Sequence, residues 1–202
     1  TKIFKNDFEI NAKDKLAKLR TWQGGGGAYH LLYFLVMKTR PLIILETGVA
    51  SGWTTNAILS AIKSADINES RLFSSDLPYT ASQESKASIG ILVEKELKNN
   101  WTLCIDGDEE CLKRFDNEIK KIDIFHYDSD KSYESRKFVW NKLKSKFNKD
   151  TIIIFDDIHN NFHFRDLVEE LKVEYKVFKF ENKFIGMFIF GGKFKISNFQ
   201  SN

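Results

Sequence analysis

Hydrophobic residues in this chain fall into short continuous runs, separated by longer stretches in which apolar positions recur every three or four residues. Runs that are nearly continuous and rich in β-branched residues are typical of parallel strands covered by helices on both faces. Four such runs predict strands at residues 42–47, 101–105, 122–127 and 151–155, and a weaker fifth run lies at residues 71–75.

Helical periodicity occupies the intervals between these runs. The predicted helices cover residues 28–38, 53–64, 84–98, 108–120, 132–146 and 161–172. Alternating strands and helices predict a doubly wound α/β sheet. Two last strand-like runs, 173–180 and 184–190, are joined by only Glu181-Asn182-Lys183, which permits only antiparallel pairing. The sequence therefore predicts a mostly parallel, seven-stranded sheet that ends in an antiparallel hairpin.

The predicted core, residues 39–202, follows an N-terminal arm and helix at residues 1–38. A length of 202 residues suits one domain, so we expect a single domain over 1–202. The arm contains four consecutive glycines at 24–27, which a regular element accommodates only at an entropic cost. This glycine run is either a flexible joint or a hinge that folds the arm over the active site.

A glycine loop follows the first predicted strand, where residues 43–55 read IILETGVASGWTT. Ligands of open α/β sheets bind beyond the carboxyl ends of the strands. Gly48 and Gly52 allow the backbone to approach such a ligand, and the following helix start offers free N–H donors. The G-x-x-x-G spacing, with Glu46 before it, differs from the G-x-G-x-x-G dinucleotide pattern. A plain strand–helix turn is the alternative interpretation.

Polar residues also end the second and third predicted strands. Asp76 lies 24 residues after Gly52, where a carboxylate can accept hydrogen bonds from both ribose hydroxyls. Asp before Pro is also common in turns. Gly107 and Asp108 follow the third strand and have the polar character expected beside an adenine, although Asp108 can equally be a helix N-cap.

From Glu46 onward the chain resembles the class I methyltransferases that use S-adenosylmethionine (AdoMet). In that family a Rossmann-like sheet has six parallel strands and one antiparallel strand near its C-terminus, which matches the predicted hairpin and disfavours a dehydrogenase. The resemblance implies AdoMet as the cofactor and implies a set of cofactor-binding residues. They are Glu46, Gly48, Ser51, Gly52, Asp76, Gly107, Asp108 and Asp128.

Acidic residues end the fourth and fifth predicted strands, within IDIFHYDSDKSY at 122–133 and TIIIFDDIHN at 151–160. Asp128 ends the first of these strands, and Asp156 and Asp157 end the second. Acids at the ends of adjacent strands can share a hard cation such as Mg²⁺. Turn and N-cap chemistry is the alternative explanation for acids at these positions.

This arrangement resembles the metal-dependent O-methyltransferases of the catechol and macrocin types. In the catechol type, an Asp ends the fourth strand, an Asp-Asn pair ends the fifth, and a Lys three residues after the first Asp is the proposed base. Asp128, Asp156 and Lys131 match these positions, whereas Asp157 replaces the Asn. The macrocin type usually has His at the position of Lys131, so the resemblance leaves the base open between Lys131 and His159.

The implied chemistry is methyl transfer to a small-molecule hydroxyl, either of a sugar or of a phenol. A metal held by the three aspartates would orient the hydroxyl and lower its pKa. A base would remove the proton, and the oxygen would attack the methyl group in line with the sulfonium. We expect the long polar segment 78–90 to shape the acceptor site.

Composition adds limits on partners and location. The net charge is only +3, from 31 basic and 28 acidic residues, which argues against a dedicated nucleic-acid surface. No apolar run reaches the roughly 18–20 residues that span a membrane, and residues 1–14 lack the apolar segment of a signal peptide. Cys104 and Cys111 are predicted to be reduced and structural, in a cytoplasmic protein. A homodimer is left open.

Two other classes of function compete with the methyltransferase. An NAD(P)-binding oxidoreductase is disfavoured by the missing third glycine and by the terminal hairpin. A non-catalytic protein with the AdoMet fold predicts ligand binding at most, with no methyl transfer.

Overall fold

The computed structural model describes residues 2–17 and 26–192. The helices are α1 (Lys2–Leu16), α2 (Tyr29–Thr39), α3 (Trp53–Ser64), α4 (Gln83–Ser88), α5 (Gly107–Phe115), α6 (Tyr133–Leu143) and α7 (His163–Leu171). Single 3₁₀ segments cover Lys95–Asn100 and Lys144–Lys146. The strands are β1 (Ile43–Thr47), β2 (Arg71–Ser75), β3 (Trp101–Cys104), β4 (Ile124–Tyr127), β5 (Ile152–Phe155), β6 (Tyr175–Phe180) and β7 (Lys183–Ile189).

One seven-stranded sheet orders these strands as β3-β2-β1-β4-β5-β7-β6. The pairs from β3 to β5 are parallel, and β7 runs antiparallel to both β5 and β6. The fold predicted from the sequence is therefore confirmed, including its antiparallel hairpin. The chain goes from β1 outward to β2 and β3 and then returns to β4 on the other side of β1. The switch point between β1 and β4 is where open α/β sheets bind ligands.

Two apolar layers cover the two faces of the sheet. Leu45 and Phe125 face one layer, which α5, α6 and α7 complete with an aromatic-rich set of side chains. Ile44 and Ile124 face the other, where α2 and α3 supply mainly aliphatic side chains. Successive strand residues point to opposite faces, so a strand covered on both sides is apolar at nearly every position. That burial is the physical reason for the continuous hydrophobic runs.

The predicted helix at 84–98 is wrong. The structure has the short α4, an irregular stretch and the 3₁₀ segment Lys95–Asn100 instead. Gly90 interrupts the helix with a φ of +68°, and a Cβ there would lie 2.4 Å from the Trp101 ring. The following helix, predicted to reach 120, ends at Phe115.

The prediction that Cys104 and Cys111 are reduced is also wrong, because they form a disulfide. Cys104 ends β3 and Cys111 lies on α5, which packs back over the strand and brings the two Cα atoms to 5.5 Å. The cytoplasmic location remains a prediction, and it loses the support of free thiols.

None of the described helices is both long and apolar enough to cross a membrane.

The arm helix α1 packs through Phe8 onto the ring of Trp53, with 5.2 Å between ring centroids. The Tyr29 hydroxyl donates to Glu9 at 2.6 Å, so α1 is also tied to α2. Gly24 and Gly25 lie outside the described residues, and the choice between joint and hinge stays open. Gly26 and Gly27 lead from the arm into the core.

Candidate active site

Gly48 brings the loop after β1 into contact with the loop after β4. Its φ is +83°, and a Cβ at this position would lie 2.4 Å from the carbonyl oxygen of Asp128 and 2.8 Å from the backbone nitrogen of Ser129. L-residues rarely adopt this φ, and the backbone of the loop after β4 leaves no room for a side chain. Glycine is therefore required here for close approach of two backbones.

Ser51 and Gly52, at the end of the glycine loop, contact the segment around Gly90. Gly52 has a φ of +94° and would place a Cβ 3.0 Å from the Cα of Gly90. The backbone nitrogen of Leu92 donates to the Ser51 carbonyl at 3.0 Å. The loop thus rests on the segment around Gly90, which explains why that segment is not helical.

Glu46 ties β1 to its neighbours through a fully buried carboxylate. It accepts hydrogen bonds from the hydroxyls of Thr54 at 2.6 Å and Thr55 at 2.7 Å, both on α3. It also accepts one from Ser74 on β2 at 2.9 Å. These contacts give Glu46 a role in positioning the loop.

Asp76 shapes the glycine loop from the end of β2. Its Oδ2 accepts from the backbone nitrogens of Val49 at 2.8 Å and Ala50 at 2.6 Å, and its Oδ1 accepts from that of Leu77 at 2.6 Å. Burial raises the pKa of Asp76, and these N–H donors oppose the rise.

Asp108 links the ends of β2 and β4. The Ser75 hydroxyl donates to its Oδ1 at 2.6 Å, and the Ser129 hydroxyl donates to its Oδ2 at 2.5 Å. The N-cap position of α5 belongs to Asp106, so the alternative that Asp108 is the N-cap is wrong. Gly107, the first residue of the helix, has a φ of +80°.

A cleft of about 640 Å³ opens where these loops meet. Among the described residues, the lining includes five predicted cofactor residues but not Glu46, Ser51 or Gly52. The five are Gly48, Asp76, Gly107, Asp108 and Asp128, accompanied by Leu77, Tyr79, Ser129, Phe138 and Val139 among others. Its size and its mixed polar and apolar lining suit a small-molecule ligand.

Asp128, Asp156 and Asp157 form an acidic cluster beside the cleft, with one oxygen of each within 4.8 Å of the others. Asp156 is completely buried, and its Oδ1 has no hydrogen-bond partner among the described residues. Arg136, also completely buried, donates to the carbonyl oxygens of Asp156 at 2.9 Å and Asp157 at 3.1 Å. Arg136 thereby fixes the backbone that presents the two β5 acids.

Two lysines neutralise most of the charge of the acidic cluster. Lys131 donates to the Asp128 carboxylate in a very short contact, and its Nζ is 3.5 Å from Oδ2 of Asp157. Lys183 places its Nζ 3.0 Å from Oδ2 of Asp156 and 3.6 Å from Oδ2 of Asp157. Three carboxylates thus face two ammonium groups.

The pKa values in the cluster move in opposite directions. Burial raises the pKa of Asp128 well above its usual range, although Lys131 opposes the rise. Burial alone would also raise the pKa of Asp156, but Lys183 and a hydrogen bond with Asp128 lower it. Asp156 is therefore the carboxylate that stays ionised, and Asp128 is the one that accepts a proton more readily.

The structure brings Lys131 into the acidic cluster but leaves His159 outside it. His159 is exposed, and its ring packs against Phe184 with 5.8 Å between centroids. A base must have a free lone pair, whereas Nζ of Lys131 acts here as a donor to both the carbonyl and the carboxylate of Asp128.

Three residues of this region were missed from the sequence. Gly27 is buried, and a Cβ there would lie 3.0 Å from Oδ2 of Asp156. Lys183 reaches the cluster only through the pairing of β7 with β5, which the sequence does not reveal. Arg136 carried a usable signal, because it occupies the same helical stripe as the buried Val139, Trp140 and Leu143.

Comparisons with known proteins come from a family model and from solved structures. The model of a family described as a methyltransferase domain matches residues 45–158. Among curated proteins, no sequence matches the chain.

Three solved structures illustrate the likeness in fold. An O-methyltransferase from Bacillus cereus, in complex with S-adenosylhomocysteine (SAH), has 18% identity and a TM-score of 0.64, covering 94% of this chain and 91% of its own. CalS11, a TDP-rhamnose 3′-O-methyltransferase of calicheamicin biosynthesis, has 16% identity and a TM-score of 0.61, covering 82% and 78%. A putative caffeoyl-CoA O-methyltransferase from Staphylococcus aureus has 13% identity and a TM-score of 0.65, covering 93% and 94%.

Proposed function

The chain belongs to the methyltransferase domain family, and on that premise we propose that it transfers the methyl group of AdoMet to a hydroxyl of a small-molecule acceptor, with a divalent ion such as Mg²⁺. The family match agrees with the resemblance to class I methyltransferases and removes the oxidoreductase alternative. The observation that carries the proposal is the contact between Gly48 and Asp128. It joins the cofactor cleft to the acidic cluster.

In the proposed complex, AdoMet occupies the cleft at the carboxyl ends of β1, β2 and β4. Asp76 lies where the ribose is expected, and its carboxylate oxygens retain lone pairs beside the N–H donors they already accept from. Gly107 and Asp108 lie where the adenine is expected. Glu46, Ser51 and Gly52 act by supporting the loop.

The residues of the acidic cluster fit a divalent ion. Carboxylate oxygens are the donors that Mg²⁺ prefers, and three of them converge. Oδ1 of Asp156 is buried without a hydrogen-bond partner in the described part of the chain, which is costly unless another group binds it. Asp128, Asp156 and Asp157 would hold the ion, which when bound would polarise the acceptor hydroxyl.

Lys131 is the better-placed candidate for the base. Its Nζ lies between Asp128 and Asp157, whereas His159 is exposed and turned toward Phe184. Lys131 can take up the acceptor proton at Nζ only as a neutral amine. The proposal therefore requires its contact with Asp128 to loosen in the complex and its ammonium proton to pass to solvent. Nζ then holds the proton while the acceptor oxygen attacks the methyl group.

Methyl transfer from AdoMet to panels of phenols and sugars, with and without EDTA, tests this function. We expect SAH formation with a hydroxyl acceptor, and we expect it to be lost in EDTA and in Asp156→Asn. Full activity in EDTA would refute the role of the metal and would still support methyl transfer. Binding of SAH without turnover on any acceptor would instead favour the non-catalytic AdoMet-fold protein. We also propose that the acceptor is a small molecule and not a nucleic acid.

A further inference from the structure

Lys183 is a cation on β7 that reaches the two acids directly after β5, the strand with which β7 pairs in antiparallel direction. It is the first residue of β7, directly after the hairpin turn at 181–182. Its Nζ lies 3.0 Å from Oδ2 of Asp156 and 3.6 Å from Oδ2 of Asp157. Burial alone would lower the pKa of Lys183, but the three neighbouring carboxylates together raise it above its usual value. The side chain is 28% exposed, so it has a path to solvent.

The burial of Asp156 makes its ion pair with Lys183 energetically important. Its carboxylate is completely buried, and Lys183 is the cation within 4 Å of it in the described part of the chain. A buried carboxylate that loses its partner pays a large desolvation cost, so another cation must replace one that leaves. An ammonium and a divalent ion bound to the same carboxylate pair repel each other at short range.

We propose that Lys183 is a tethered counter-cation, which holds Asp156 and Asp157 in a ligand-like arrangement and is displaced when a divalent ion binds. This inference rests on the metal-assisted transfer proposed above. Lys183 thereby sets the affinity of the site for the ion, since every binding event must break the ion pairs of Lys183. It also keeps the buried acids compensated when no ion is bound.

Lys131 does not serve the same role. Besides its contact with the Asp128 carboxylate, its Nζ donates to the Asp128 carbonyl at 2.8 Å, and its own carbonyl accepts from Asn161 at 2.6 Å. These bonds anchor Lys131 in the loop after β4. Lys183 is held at the cluster by carboxylates alone, so it is the lysine that a metal ion can replace.

Titration of Mn²⁺ into the full chain, followed by calorimetry, tests the inference. Lys183→Met removes the charge and keeps much of the side-chain volume, so it should bind Mn²⁺ at least about tenfold more tightly than wild type. Lys183→Arg should bind with nearly wild-type affinity, because the cation is retained. Lys179→Met is the matched control, since Lys179 is an exposed lysine on β6 of the same hairpin. Its affinity should equal that of wild type.

The outcomes separate this inference from the proposed function. Equal Mn²⁺ affinity in wild type and Lys183→Met overturns the role of Lys183 and leaves metal-assisted transfer standing. Absence of Mn²⁺ binding in both proteins overturns the metal and the inference together. Titration of SAH into the same variants reports whether the cofactor cleft has been kept.

A measurement on the wild type covers the case in which Lys183→Met does not fold. Acetylation by a small activated ester, followed by mass spectrometry, reports the accessibility of each lysine. Mg²⁺ should accelerate the modification of Lys183 several-fold and leave that of Lys179 unchanged. An unchanged or slower rate at Lys183, under conditions where Mg²⁺ binding is saturated, overturns the displacement.

Discussion

Gly48→Ala tests the contact on which the candidate site depends. The substitution adds one methyl group at a φ of +83°, where the new Cβ would lie 2.4 Å from the Asp128 carbonyl oxygen and 2.8 Å from the Ser129 nitrogen. Both neighbours are backbone atoms, which cannot rotate away as the end of a side chain can. The loop after β1 must therefore move away from the loop after β4, or the glycine loop must refold.

Two costs add in this variant. Placing a non-glycine residue in a left-handed conformation costs about 1–2 kcal/mol. Overpacking against a fixed neighbour costs about 1–3 kcal/mol more. The free energy of unfolding should thus fall by about 2–5 kcal/mol. The displaced loop should also weaken SAH binding, by at least about tenfold if 1.4 kcal/mol of the loss falls on the complex.

Gly107→Ala provides the matched control. Its φ of +80° is almost the same, but a Cβ there would meet only Leu77, at 3.7 Å, which is ordinary contact. This variant should lose only the conformational cost, about 1–2 kcal/mol. The two urea denaturation curves, measured without ligand, therefore isolate the clash as their difference.

Equal losses of stability in the two alanine variants would refute the clash between Gly48 and the backbone of the loop after β4. Unchanged SAH affinity in a folded Gly48→Ala protein would refute the assignment of the loop to the cofactor.

Two further predictions concern stability. Burial, together with the nearby Arg136, lowers the pKa of His163 from 6.5 to about 4. The unfolded chain takes up a proton that the folded protein excludes. The contribution of His163 to stability is therefore full above pH 6.5 and is lost as the pH falls toward 4, by about 3–4 kcal/mol in total. His163→Phe should flatten urea-derived stability over this range, and a pH profile parallel to wild type would contradict the assignment. Reduction of the Cys104–Cys111 disulfide should lower the free energy of unfolding by about 2 kcal/mol, read from melting with and without dithiothreitol. An unchanged melting temperature in reduced protein would show that the bridge does not contribute.

Much of the fold follows from the sequence because the strands are buried on both faces. The runs at β1, β4 and β5 are apolar at nearly every position and end in polar residues, so both the strands and their carboxyl ends are visible. The short link at 181–183 gives the hairpin by geometry alone. The helix at 84–98 fails for a tertiary reason. Gly90 packs closely against Gly52 and Trp101, and the local sequence pattern does not predict these tertiary contacts.

The candidate site likewise contains residues that the sequence predicts and residues that it does not. Asp128, Asp156 and Asp157 are predictable together, since the ends of adjacent parallel strands meet at one edge of the sheet. Lys183 is not, because its place depends on the register of β7 against β5. The disulfide was not predicted for a related reason. Its two cysteines meet only because α5 turns back over β3, and a pair at that separation matches no metal or framework spacing.

Gly27 gives the arm a second significance. A Cβ at Gly27 would lie 3.0 Å from Oδ2 of Asp156 and 3.4 Å from Oδ2 of Asp128, so the backbone at the end of the arm forms one wall of the acidic cluster. On this side of the cluster, the Gly27 backbone occupies space that water would otherwise fill. The hydration of the acids, and with it the dielectric environment of the proposed chemistry, is thus determined in part by a segment that precedes the first strand of the sheet.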